Sequence, residues 1–212
     1  MRSMNGKDVE LAVADMVSVL TPHVDQDWQV HAGSLDWTYW KTAAHVGHDL
    51  LAYATQITSR ATSAYLPCSL LIDANASPRQ VLEVITASGA LLGVVIDTAG
   101  PAVRAWHWGP TDPGGFAALG VNEVLVHTYD VALGLGVPWC PAEAACAAVL
   151  NRLFPDAPDD DPFRFSCGVP AEWRWRTDLG ADRGFSRPRS TELSVRSSLD
   201  VEVLLAQQDF SS

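Results

Sequence analysis

Apolar residues recur at helical spacing through most of the first 154 positions, and that period predicts an all-α fold. Val9, Leu11, Val13, Met16, Val17 and Leu20 form a stripe predicting a helix from about Lys7 to Val24. A second helix is expected from near Leu35 to about Thr62, with Asp36 as its N-cap and Gly47 where a backbone or ligand comes close. Ser77-Pro78 is an N-cap followed by proline in the first helical position, and Gly100-Pro101 is a stop, so a third helix spans 77–98. A fourth is expected from Phe116 to Leu135, closed by Gly136 and Pro138, and a short fifth from Pro141 to Phe154. Between the third and fourth lies a Pro- and Gly-rich loop, 99–115, carrying Trp106, His107 and Trp108.

The pattern changes after the acidic, proline-rich turn at 155–162. Glu172 to Thr177, Glu192 to Arg196 and Val201 to Leu205 alternate or read as strand. The expected organisation is a helical domain, 1–160, and a short extension, 161–212, as a small β-hairpin or a partly disordered tail.

Composition narrows the function. Apolar residues make up 48% of 212 positions, enough for a full core. A net charge of −11 argues against nucleic acid or anionic lipid as partner, despite Arg183, Arg187 and Arg189 near the end. No apolar run of bilayer length and no leader peptide are read, so a cytoplasmic location is the default expectation. Cys68, Cys140, Cys146 and Cys167 lack a Cys-x-x-Cys spacing and are expected to be free thiols.

The candidate chemistry sits on two helices. Glu123 and His127 are four residues apart, which stacks them on one helix face, and Asp130 follows near that face. His45 lies in an apolar stretch of the second helix. If the helices are neighbours, two imidazoles and a carboxylate meet, a donor set suited to zinc, nickel, iron or manganese. Three protein ligands leave a position open for catalysis or ligand capture. Asp130 is a candidate to orient one imidazole, and His107 a candidate acid or base. Tyr129 and Trp40 are candidates to line the site. His48 is placed at its edge, and His23 and His31 are given no role. The bland alternative is that all three residues are hydrogen-bonded core groups.

At these residues the chain resembles a known family. Leu35-Asp-Trp-Thr-Tyr-Trp-Lys-Thr-Ala-Ala-His45 is similar to a Trp-Ser/Thr…Ala-His signature of the DinB-like superfamily. Gly120-Val-Asn-Glu-Val-Leu-Val-His-Thr-Tyr-Asp-Val-Ala-Leu-Gly-Leu-Gly136 is similar to its Glu-x-x-x-His-x-x-Asp-x-Ala-x-x-Leu-Gly helix. Leu153-Phe-Pro-Asp-Ala-Pro158 adds to the likeness, which covers about the first 160 residues. The nearer resemblance is to the actinobacterial branch, the mycothiol-dependent maleylpyruvate isomerase N-terminal domain.

That resemblance implies a DinB-like four-helix bundle with a divalent metal, zinc first, held by His45, Glu123 and His127. It implies activation of a low-molecular-weight thiol, mycothiol or similar, toward a small electrophile, by a transferase or isomerase; the isomerase itself turns maleylpyruvate into fumarylpyruvate. Two departures stand out: His48 replaces an acidic residue of close relatives, and 161–212 do not match the isomerase's C-terminal domain. A non-catalytic metal- or ligand-binding protein is the alternative. Proteins of this kind also form homodimers through exposed apolar helix faces.

Overall fold

The computed structural model describes residues 3–32 and 36–155. The described part is mostly helical, with five α-helices and one two-stranded sheet. Helix α1 spans Gly6–Leu20 and continues as a short 3-10 turn, Thr21–His23. Asn5 caps it, accepting from Lys7 N, while Asp8 returns a carboxylate to the Asn5 N–H. Helix α2 spans Tyr39–Ser59, α3 Pro78–Thr98, α4 Pro113–Gly134 and α5 Glu143–Leu153.

Two starts differ from expectation. Thr38, not Asp36, caps α2, because its hydroxyl accepts from Lys41 N at 3.1 Å. The preceding chain is held extended by pairing with 30–32: Ala32 N donates to Trp37 O and Tyr39 N to Val30 O. Helix α4 begins three residues before Phe116, with Asp112 as cap and Pro113 in the first turn. Gly114 and Gly115 disguise that turn in the sequence. The 99–115 loop is not wholly irregular: β1 (Ala105–Trp106) and β2 (Pro110–Thr111) pair antiparallel.

Helix α3 packs on α2 and α1, and α4 on α1, α2, α3 and α5. The core holds Val9, Met16 and Leu20 from α1, Val46 and Leu50 from α2, Val81, Ile85 and Leu92 from α3, and Phe116, Val121, Val124 and Val131 from α4. Because α4 is covered by four neighbours, its apolar residues surround it instead of forming one stripe. Helices α1 and α3 come so close that a Cβ on Gly6 would strike the Gly93 carbonyl. The Gly6 N–H is also bound, to Asp97 Oδ1 at 2.8 Å. Gly47 faces Ile72, Val84 and Ile85 from α2, so a close helix contact explains it.

Two further expectations are corrected. Helix α3, with 21 residues, is by length and composition apolar enough to cross a membrane. Its valines, leucines and isoleucines outweigh the Gly, Ser and Thr between them, and Val81, Leu82, Ile85, Leu92 and Ile96 are buried. Cys68 and Cys146 are free, but Cys140 is disulfide-bonded; spacing along a chain does not report which thiols meet in space. The domain boundary at 160, the predicted tail strands, Cys167 and the arginines near 187 lie outside the described residues.

Candidate metal centre

Helices α2 and α4 pack side by side, and their contact brings His45 to the Glu123–His127 pair. Glu123 Oε2 lies 3.7 Å from His45 Nε2 and 3.4 Å from His127 Nε2. The two imidazole rings stand edge to face with centroids 5.2 Å apart. The ligand atoms of all three lie within 4.8 Å of one another. The side chains are mostly buried yet not sealed, at 23% exposure for His45, 19% for Glu123 and 14% for His127.

These separations fit a shared cation. They exceed a good N–H···O hydrogen bond of about 2.9 Å. Donors about 2.1 Å from zinc stand about 3.4 Å apart at tetrahedral angles. The tautomers fit as well. His127 Nδ1 has no hydrogen bond of good geometry but lies 3.4 Å from Asp130 Oδ2, which leaves Nε2 for the centre. Asp130 is itself buried. It stands where a metal-binding histidine usually finds its orienting carboxylate.

Without metal, the charges compensate one another. Burial alone would raise the Glu123 carboxyl, but His127 and His45 outweigh it and hold Glu123 well below the usual carboxylate range. Burial alone would lower the His127 imidazolium, but Asp130 and Glu123 outweigh it and raise it to about 9. A proton on His127 thus fills part of the role a cation would fill.

The surroundings include residues not singled out in the sequence. Asp49, one turn after His45, points Oδ2 at His45 Nε2 across 3.5 Å. Its other oxygen meets His48 Nδ1 at 2.8 Å. Tyr53, one more turn along α2, has its hydroxyl 3.5 Å from Asp49 Oδ2. Burial, then the nearby Glu123 and Asp49 charges, push this phenol well above its ordinary value, so it stays a donor. Trp37 covers the centre from the chain before α2, with ring centroids 5.0 Å from His45 and 6.4 Å from His127. The interval between His45 and Asp49 mirrors that between Glu123 and His127, and was a readable signal for Asp49.

The other candidates separate. His107 sits in the β1–β2 turn, against Tyr53 (5.3 Å) and Phe116 (6.2 Å), with Nδ1 3.4 Å from the Tyr65 hydroxyl. Burial lowers its pKa, and Glu123 and Asp49 offset this in part, so a neutral imidazole stands beside the site. Trp40 donates its indole N–H to Ala76 O at 2.7 Å, a structural tie to the start of α3. His48 holds Asp49. His23 pairs with Gln26, away from the centre, and His31 pairs by its backbone with Thr38. Compared with protein-family models, curated proteins and solved structures, the chain matches none.

Proposed function

We propose that this chain is a metal-dependent enzyme, a thiol transferase or isomerase of the DinB-like four-helix-bundle kind. It would act on a low-molecular-weight thiol, mycothiol or a relative, and a small electrophile. The observation that carries the reading is the convergence of His45, Glu123 and His127, from two helices, at separations suited to one divalent ion. Zinc is the first expectation, with nickel, iron or manganese as alternatives. When bound, such an ion supplies Lewis acidity that favours the deprotonated form of a thiol near neutral pH.

The chain's own residues would divide the remaining work. His45 and His127 bind through Nε2 and Glu123 through Oε2. Asp130 fixes the His127 ring through Nδ1. His107, kept neutral by burial, accepts a proton at the nitrogen turned away from Tyr65. On the same reading the protein works in the cytoplasm, without a nucleic-acid or membrane partner, and a homodimer is one assembly open to it.

Elemental analysis of protein purified without chelator or metal-binding tag, beside His127→Ala, tests this. One divalent ion per chain, lost in the variant, is expected, followed by thiol binding seen in calorimetry. Folded wild type without metal would remove the reading. Metal without any thiol binding would leave the non-catalytic reading, a metal-binding helical protein, which the second carboxylate beside His45 favours.

A further inference from the structure

We infer that Tyr65 and Trp108 form the subsite for an uncharged, flat, conjugated or aromatic part of the ligand, with Trp108 as the residue that selects it. The inference rests on the reading above only in calling that ligand the small electrophile.

Three observations carry it. First, a row of rings leads from the candidate centre to solvent. The Tyr53 hydroxyl lies 3.5 Å from Asp49 Oδ2, which in turn lies 3.5 Å from His45 Nε2. From Tyr53 the ring centroids step 5.3 Å to His107, 5.9 Å from there to Tyr65 and 6.4 Å on to Trp108. Exposure rises along the row, from 7% at Tyr53 to 47% at Tyr65 and 60% at Trp108. The outer two rings are therefore open to a small molecule and continuous with the centre.

Second, Trp108 holds a backbone conformation that its own side chain disfavours. Its φ is +54°, in the left-handed region. Among the described residues the one other non-glycine there is Arg60, which closes α2. A glycine would make the same turn without a Cβ to crowd the backbone. An indole left mostly exposed recovers little by burial. Folding alone does not call for tryptophan at this position, and strain of this kind collects where ligands are held.

Third, the rings suit one chemistry. Tyr65 and Trp108 stand at 84° to one another. A flat ring stacked on the indole is thereby edge-on to the phenol, and both arrangements are favourable between aromatic groups. No cation stands among Tyr53, His107, Tyr65 and Trp108 to hold an anionic group, since burial favours the neutral form of His107. The carboxylates that would hold a cationic group already have partners, Glu123 in His45 and His127, Asp49 in His48. An uncharged conjugated group is the chemistry that remains.

Nitrobenzene and nitrocyclohexane are the probes, both uncharged and similar in size, one flat and one puckered, with tetramethylammonium as a cation. Dissociation constants are read by ligand-observed NMR titration of wild type, Trp108→Gly, Trp108→Leu and Tyr65→Leu, each with and without zinc. Wild type should bind nitrobenzene at least about fivefold more tightly than nitrocyclohexane. All three variants should lose most of that preference. The urea midpoint of Trp108→Gly should be no lower than that of wild type, because the strained turn is relieved. No nitrobenzene binding, equal affinity for the two nitro compounds in wild type, or an unchanged preference in any variant would overturn the inference. So would tetramethylammonium binding tighter than that of nitrobenzene and lost in the variants, which would make the rings a cation cage. A clear fall in the Trp108→Gly midpoint would assign the indole to folding and overturn it as well. Nitrobenzene selected through Trp108 by a protein that takes up no zinc would keep the subsite and sink the metal reading. Zinc uptake without that preference would do the reverse, which separates the two failures.

Discussion

His127 lies between two carboxylates, Glu123 at 3.4 Å from Nε2 and Asp130 at 3.4 Å from Nδ1. In the metal-free protein this makes stability depend on pH in a direction that can be worked out. The His127 value is raised from 6.5 to about 9, so its contribution is complete below 6.5 and is lost as pH rises through about 9. Glu123 is depressed from 4.5, so its contribution is complete above 4.5 and is lost as pH falls toward its folded value. Chelator-treated protein should therefore unfold at its highest urea midpoint between pH 4.5 and 6.5. In His127→Ala the decline on the alkaline side should flatten. A wild-type midpoint that keeps rising from neutral pH to about pH 9 would contradict the assignment. At this scale the sequence was informative in part. Glu123 and His127 were readable as a pair from their four-residue interval. Asp49 obeyed the same interval with His45, and that contact lies within α2 itself.

Helix α4 carries both chemistry and core, and its start is the element most open to test. Asp112 accepts from Gly115 N at 2.7 Å and from Arg152 of α5 at 2.9 Å. Its carboxyl lies below the usual range because Arg152 and the Gly115 N–H outweigh the effect of burial. Asp112→Ala should lower unfolding stability by about 1–2 kcal/mol, the cost of losing a helix cap, measured by urea denaturation. Metal content should not change, because Glu123 lies about three turns further along the helix. The crossing of α1 and α3 makes a sharper demand. Gly6→Ala puts a methyl into the Gly93 carbonyl and should cost about 1–3 kcal/mol as the helices move apart. Unchanged stability would mean that α1 shifts freely. The third helix was legible to the residue, since Ser77-Pro78 and Gly100-Pro101 are local signals that tertiary contacts did not need to override. The second was not: Asp36 and Thr38 are equally good caps locally, and pairing of Trp37 and Tyr39 with 30–32 decided for Thr38.

Across the whole molecule, a metal that binds only the folded chain ties stability to its own concentration. Free metal at a hundredfold its dissociation constant should add about 2.7 kcal/mol. Chelation should therefore lower the melting temperature of wild type and leave that of His127→Ala nearly unchanged, as scanning calorimetry would show. Equal melting temperatures with and without metal would mean that the three residues serve the core alone. By itself the sequence determined the helices, because apolar spacing, caps and breakers act over a few residues and need no partner. It also put Glu123 and His127 on one helix face, by their four-residue interval alone. Only the tertiary structure decided that His45 meets them and that His107 packs on Tyr53 and Phe116. Each of those facts depends on which side of α2 turns toward α4 and where the β1–β2 turn folds back. That orientation is set by burying Val46, Leu50, Val121 and Val124 in one core, a long-range outcome that no local pattern encodes.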